Sequence, residues 1–265
     1  MPRRLLMCPP TYFDVVYVIN PWMHTQVPVD HQAAIDQWEG LRATYEAHGH
    51  TVELVEPEPG LPDMVYAANS ALVLDGIAYL ARFHHPERWG EEPVYARWFE
   101  ANGFRVQRAS HVHEGEGDLL VVGDVILGGT GFRTDIAAHA EVSRLFDREV
   151  VSLELVDPRF YHLDTALFVL DGAEGRIAYH PGAFSEASRH ELERRYPDAI
   201  VADEVDANVF GLNAMSDGTH VFLPAPAHGL AKRVADAGYE PVPVELSELL
   251  RGGGSVKCCT LELRS

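Results

Sequence analysis

One junction recurs along this chain and limits what it can fold into: an amphipathic helical stretch meets a glycine or a turn, and a short β-branched strand follows. His48-Gly49-His50-Thr51-Val52-Glu53-Leu54 is the first instance, and Asn102-Gly103-Phe104-Arg105-Val106 is the second. Ala237-Gly238-Tyr239-Glu240-Pro241-Val242 is the last. Between them, Asp147-Arg148-Glu149-Val150-Val151 and Tyr196-Pro197-Asp198-Ala199-Ile200-Val201 repeat the junction without glycine. Glycine suits a helix end because the left-handed backbone needed there costs it little.

Each of the later junctions follows a hairpin and a helix. Apolar runs at Ala71–Ala81, Leu119–Leu127, Ala166–Tyr179 and Asn213–Leu223 are split by Asp75-Gly76, Gly123-Asp124, Asp171-Gly172 and Asp217-Gly218, which are hairpin turn dipeptides. Helices are expected near Asp30–His48, Pro86–Ala101, Thr134–Phe146, Ser185–Arg195 and Ala227–Ala237. Pro86 and Ser185 stand where N1 and N-cap residues belong. The unit is ββαβ, repeated at a period of roughly 40 to 55 residues. A last strand at Lys257–Leu263 is expected to pair with Arg4–Met7, because closing a ring of repeats removes open edges. A sequential α/β sheet is the competing arrangement, but it alternates single strands with helices and has no use for a hairpin in every unit. The expected fold is therefore α/β: one domain over residues 1–265, a five-bladed ββαβ propeller with pseudo-fivefold symmetry.

Composition narrows the partners. With 40 acidic and 21 basic side chains, the formal charge is −19. Nucleic acids and anionic membranes need Lys/Arg patches, so neither is expected, whereas a small cation suits an acidic surface. A homo-oligomer is compatible with the sequence. The cysteines, Cys8, Cys258 and Cys259, are odd in number with one adjacent pair, which is no disulfide framework. The stretch before Pro9 lacks a signal-like apolar run, and no segment reaches the roughly 20 apolar residues of a membrane span. A reduced, cytoplasmic protein is the expectation.

Four segments carry polar residues that strand ends do not need for folding: Pro62–Asn69, His113–Asp118, Tyr161–Thr165 and Gly252–Cys259. Each heads a hairpin or the closing strand, so a ring would bring them to one axial mouth. Cys258 follows a flexible glycine run and precedes a strand, where a nucleophile can be presented; alone, a cysteine is more often a small buried hydrophobe. On a strand His162 and Asp164 would face the same way, and a carboxylate beside an imidazole suits acid–base work. Glu114 and Glu116 would likewise share a face. A metal is not expected: His111-x-His113 with Glu114, and His84-His85, have ligand-like residues without HExxH or CxxC spacing. No cofactor is implied.

Together the four segments resemble the guanidino-group-modifying superfamily of arginine deiminases, dimethylarginine dimethylaminohydrolases, arginine dihydrolases and amidinotransferases, whose fold is a five-bladed ββαβ propeller. The family's His-x-Asp strand resembles His162-Leu163-Asp164-Thr165, and its glycine-rich loop with nucleophilic cysteine resembles Gly254-Ser255-Val256-Lys257-Cys258. Its Glu-Gly-Gly-Asp segment is matched loosely by Glu114-Gly115-Glu116-Gly117-Asp118, with Glu114 favoured as guanidinium ligand and Glu116 the alternative. Arg88 and Arg133 correspond to the substrate-carboxylate arginines, and Asp63 falls in the same substrate-binding stretch as Asn69. Where deiminases and dimethylaminohydrolases usually carry Asp, this chain has Asn69; with Asn20-Pro21-Trp22-Met23, that resembles the arginine dihydrolase branch.

The resemblance implies a small cationic guanidino substrate, attack by Cys258, and proton transfer by His162. Glu114, with or without Glu116, would hold the guanidinium, and Asp164 would bind a substrate nitrogen or steady the site. An amide at position 69 can donate to a ureido oxygen that a carboxylate would repel, which allows a second hydrolysis from citrulline to ornithine. Dimethylarginine hydrolysis, amidino transfer to an acceptor amine, and non-catalytic guanidino binding are the competing functions.

Overall fold

The computed structural model describes residues 2–264. Strand β1 (Arg4–Met7), helix α1 (His31–Ala47) and β2 (Thr51–Leu54) open the chain. Then come β3 (Ala71–Leu74), β4 (Ile77–Leu80), α2 (Glu91–Ala101) and β5 (Arg105–Arg108). The order repeats with β6 (Leu119–Val122), β7 (Val125–Thr130), α3 (Ile136–Phe146) and β8 (Glu149–Glu154). It repeats again with β9 (Leu167–Asp171), β10 (Arg176–Tyr179), α4 (Glu186–Arg195) and β11 (Ile200–Val201). After a short α5 (Glu204–Ala207) come β12 (Met215–Ser216), β13 (His220–Pro224), α6 (His228–Asp236) and β14 (Glu240–Val244). A short α7 (Ser247–Leu250) leads to β15 (Leu261–Glu262).

These strands form five separate mixed sheets of three strands, in the orders β15-β1-β2, β3-β4-β5, β6-β7-β8, β9-β10-β11 and β12-β13-β14. In each sheet the first strand runs antiparallel to the middle one and the third runs parallel to it. A parallel pair needs a crossover, and the long helix between middle and third strand supplies it. This is the ββαβ unit, and the five sheets are consistent with five propeller blades. A sequential parallel sheet is not what these strands form.

Local chemistry accounts for the elements. Asp30 caps α1 by accepting from the Ala33 amide, and Ala34, Trp38, Leu41 and Tyr45 form its buried stripe at helical spacing. Those side chains share an apolar cluster with Leu5 and Met7 of β1. Gly49, Gly103 and Gly238 all have left-handed backbones just after helices, and Asp147 takes that conformation after α3. Ser185 caps α4 by accepting from Ser188.

Three expectations need correction. The helix expected from Pro86 is a 3₁₀ turn at Pro86–Arg88, separated by Trp89 and Gly90 from α2. The helix expected from Thr134 begins at Ile136, because the backbone is still extended at its N-cap, Asp135. The closing strand is Leu261–Glu262 rather than Lys257–Leu263. Residues 256–259 form a turn, with the Cys259 amide bonded to the Ser255 carbonyl and Thr260 to Lys257.

Leu6 lies in the middle strand of the first sheet, fully buried, opposite Leu261 on one side and Glu53 on the other. Leu6→Ala should cost about 2–5 kcal/mol, as buried leucine truncations do. Urea denaturation of the variant and parent measures it.

Candidate active site

The first strand of every sheet is entered through a short turn, and the candidate residues occupy those turns. Asn69 lies in a 3₁₀ turn, Ala67–Ser70, before β3. Glu114 and Glu116 lie at and within the turn Gly115–Gly117 before β6, and His162 and Asp164 at and within Leu163–Thr165 before β9. Cys258 lies within the turn at 256–259 before β15. All of these side chains are buried.

Cys258 is held from three sides. Its carbonyl accepts from the Ala68 amide at 3.0 Å, and its own amide donates to Asn213 Oδ1 at 3.1 Å. Its thiol donates to Asp164 Oδ2 at 3.3 Å and receives Asn213 Nδ2 at 3.1 Å. Burial, reinforced by Asp164, pushes the thiol well above its ordinary pKa. Burial also pushes Asp164 up to about 7, although the thiol's hydrogen bond works against that rise. Gly252–Gly254 is not a flexible run: it is buried, and a side chain at Gly252 or Gly254 would collide with Tyr66, while one at Gly253 would meet Asn20. Asn20 in turn donates to the Gly252 carbonyl at 3.1 Å. Cys259 is fully buried in the apolar cluster that contains Leu5, Trp38 and Tyr45.

His162 does not pair with Asp164. Its backbone is extended, and the 3₁₀ turn that follows sends Asp164 to the thiol while the imidazole meets Glu114, Nε2 to Oε2 at 2.7 Å. Glu114 also accepts from Arg133 Nη1 at 2.9 Å and from the His84 amide at 3.1 Å. Burial alone would raise Glu114, but Arg133 and His162 outweigh it and hold the carboxyl well below its ordinary range. An ionised carboxylate only accepts, so Nε2 carries a proton and Nδ1 is the imidazole atom without a protein partner.

Glu116 points elsewhere. It binds Lys257 Nζ at 2.5 Å, also pairs with Arg264, and accepts from the Glu262 amide. The two glutamates diverge because one precedes a 3₁₀ turn and the other lies inside it, where strand alternation does not apply. Lys257 and Arg264 also line a cavity of about 710 Å³ among β6, β9 and β12, whose lining includes none of Cys258, His162, Glu114 or Asn69.

Arg88 occupies all three of its nitrogens with protein groups. Glu91 takes two bonds at 2.8 and 2.9 Å, Asn69 Oδ1 takes one at 2.8 Å, and the Asp63 carbonyl takes one at 3.2 Å. Because arginine only donates, Asn69 must turn its oxygen to Arg88, which leaves Nδ2 unpaired. Gly117 lets that amide and the His162 ring come close: a Cβ there would lie 2.5 Å from Asn69 Nδ2 and 3.3 Å from His162 Nδ1. Asp63 accepts from Tyr17 at 3.0 Å with one oxygen and has no partner for the other. Arg133 donates to the Ile19 carbonyl and lies over the Tyr161 ring at 4.7 Å. Four buried atoms without partners thus belong to these residues: Asp63 Oδ1, Asn69 Nδ2, His162 Nδ1 and Asp164 Oδ1. Acceptors, a donor, an imidazole and a thiol in one place can bind a planar cation and carry out acid–base and nucleophilic steps on it.

The metal alternative finds its histidines otherwise employed. His113 stacks on Tyr79, bonds the Leu80 carbonyl through Nε2 and receives the Gly115 amide at Nδ1, while His111 is exposed. No group of three His, Cys, Asp or Glu side chains is placed to hold a metal among the described residues. Nor, among them, is any helix long and apolar enough to cross a membrane. Asn213 is the residue that the sequence reading passed over. It heads the fourth hairpin, as the other candidates head theirs, and the repeat was the signal that pointed to it.

No protein-family model matches the chain. It is 57% identical over 261 residues to the N(G),N(G)-dimethylarginine dimethylaminohydrolase of Mycobacterium tuberculosis, covering 98% of this chain and 86% of that protein. It is 41% identical over 267 residues to the bifunctional arginine dihydrolase/ornithine cyclodeaminase ArgZ of Synechocystis, covering 98% of this chain but 37% of that longer protein. The N-terminal domain of ArgZ, in an Asn-to-Ser variant covalently bonded to a reaction intermediate, superposes with a TM-score of 0.93 at 39% identity, covering 98% of this chain and 97% of that one. A structure of the same domain bound to substrate gives 0.94 at 38% identity, over 99% and 98% of the two chains.

The two glutamates should separate by phenotype. Glu116→Gln leaves Lys257 and Arg264 without their shared carboxylate and should cost about 3–5 kcal/mol of stability, as breaking a buried pair does. KM in the folded fraction should change little. A large rise in KM with unchanged urea denaturation would return Glu116 to the role of ligand.

Proposed function

Since the chain belongs to the family of cysteine-dependent guanidino hydrolases that contains dimethylarginine dimethylaminohydrolase and arginine dihydrolase, we propose that its substrate is L-arginine or a close derivative, hydrolysed through a covalent amidino-cysteine. Residues 1–265 act as one catalytic domain, the five sheets closing a ring about a pseudo-fivefold axis with the site at its mouth.

Glu114 and Asp164 hold the guanidinium, and Arg133 takes the substrate carboxylate. Arg88 acts through Asn69 and Asp63 rather than on that carboxylate, since all three of its nitrogens are engaged, whereas among the described residues Arg133 bonds protein only through Nη1 and Nη2. Cys258 sulfur attacks the guanidino carbon. The bond from that carbon to the departing nitrogen breaks as the imidazolium form of His162, its Nε2–H kept on Glu114, delivers its Nδ1 proton and becomes neutral, releasing ammonia. His162 then takes a proton from water, whose oxygen attacks the adduct, and the carbon–sulfur bond breaks to give a ureido product, citrulline.

The observation that carries the finer reading is Asn69 Nδ2, a buried donor without a partner beside the His162 ring. A guanidinium offers only N–H groups, so this donor gains nothing from the first substrate. The ureido oxygen accepts it. Retained in this way, citrulline is attacked again, and a second water yields ornithine, carbon dioxide and a second ammonia. The 57% identity to a dimethylarginine dimethylaminohydrolase favours a second reading, in which the same chemistry releases methylamines from methylated arginines.

Mass spectrometry of products from arginine, methylated arginines, agmatine and citrulline separates the two. Ornithine with two ammonia per arginine is expected; stoichiometric citrulline without ornithine would overturn the two-step reading. Asn69→Asp should keep the first hydrolysis and lose the second. Cys258→Ser should abolish turnover, whereas Cys259→Ser should keep most activity and lose about 1–3 kcal/mol for a buried hydroxyl without a partner.

A further inference from the structure

Asn213 heads β12, the position that carries Asn69, Glu114, Asp164 and Cys258 in the other sheets, and it is fully buried. Its Oδ1 accepts from the amides of Ser255 at 3.0 Å and Cys258 at 3.1 Å, and its carbonyl accepts from the Lys257 amide at 3.2 Å. Its Nδ2 donates to the Asp164 carbonyl and approaches Cys258 Sγ, each at 3.1 Å. The orientation is forced: backbone N–H groups only donate, so the amide oxygen must face them and the NH₂ must face the sulfur.

We propose that Asn213 is a catalytic residue of the cysteine chemistry, donating the hydrogen bond that holds Cys258 as a thiolate both before attack and when the sulfur departs. The inference rests on Cys258 being the nucleophile. Sulfur has two polar side-chain neighbours, and they do opposite things. Asp164 Oδ2 is the acceptor for the thiol proton. Transfer along that 3.3 Å contact protonates Asp164 and leaves both electrons of the S–H bond on sulfur. Burial raises the proton affinity of Asp164 and of the thiol alike, so the transfer depends on a donor that stabilises the sulfur anion. The anion then needs donors in a buried place, where it is otherwise costly. Lys257, next in sequence, supplies none, because its ammonium is turned to Glu116 and the Thr260 carbonyl. Asn213 is already in position. A neutral donor also fits a site for a guanidinium better than a fixed cation would, since it stabilises sulfur without repelling substrate. When the adduct breaks, the electrons of the carbon–sulfur bond return to the same sulfur and meet the same N–H.

The test is the pH dependence of Cys258 alkylation by iodoacetamide, located by peptide mass spectrometry, with kcat and KM for arginine in parallel. Asn213→Ser removes the donor without adding charge. Asn213→Asp keeps an oxygen for the Ser255 and Cys258 amides, removes the donor and adds a negative charge. The labelling midpoint should rise by about one to two units in Asn213→Ser, as loss of a hydrogen bond to a charged group implies. It should rise further in Asn213→Asp. In both, kcat should fall about 10- to 100-fold with little change in KM. Melting curves identify the folded variants, and the serine variant decides if aspartate disrupts the turn. An unchanged midpoint in folded Asn213→Ser, or a shift confined to Asn213→Asp, overturns the proposal. Labelling of Cys259 in the parent protein overturns the nucleophile assignment instead.

Discussion

The pairing of the last strand with the first holds this architecture in register. Leu261 and Glu262 lie antiparallel to Leu6 and Leu5, and β2 completes the sheet on the other side. Two residues of strand suffice because ionic contacts support them. Glu262 binds Arg3 and Arg264, its amide donates to Glu116, and Lys257 joins the same carboxylate. Burial would raise the Glu262 pKa, but Arg264, Arg3 and Lys257 hold it down at about 2. Cys258 stands three residues before this strand, so the ends of the chain together position the candidate nucleophile. Removing one member of such a network strands the others in a medium of low dielectric.

Burial raises the proton affinity of these carboxyl groups, and the cations or donors facing each one decide how far. Glu114 is held ionised by Arg133 and His162. Burial lifts Asp164, which faces a thiol instead of a cation, to about 7, and lifts Asp118 to about 6 against the lowering bonds from Thr134 and the Leu163 amide. Separation of this kind lets one group stay an anion to fix a histidine while another exchanges a proton near neutral pH. It follows from which side chain the backbone turns toward each acid.

Close approach explains the glycines that the repeat did not require. Gly117 lets the Asn69 amide reach the His162 ring, Gly129 admits Asp118 and Leu163, and Gly254 admits Tyr66 beside Cys258. Each is a position where a side chain would occupy space that a neighbouring side chain already fills. The glycine run before Cys258 thereby acts as a packed support. The Tyr66 and Tyr161 hydroxyls bond the Leu249 and Gly253 carbonyls around it.

Hairpin dipeptides, helix caps and the recurring helix–glycine–strand junction made the ββαβ repeat legible in the sequence, because turn chemistry and periodicity are local properties. The convergence of the four polar segments was legible too, since the repeat places each at the head of a hairpin. The partners of those side chains were not. Strand alternation suggested that His162 would share a face with Asp164, and Glu114 with Glu116. Short 3₁₀ turns at both places instead send Asp164 to the thiol, His162 to Glu114, and Glu116 to Lys257. Asn213 carries no motif, and its importance exists only where the fourth hairpin meets the turn before the last strand, 45 residues further on. Sequence determined the units and their order through local backbone preference; the tertiary structure decided which acid meets which base, because that depends on contacts between units that no local pattern encodes.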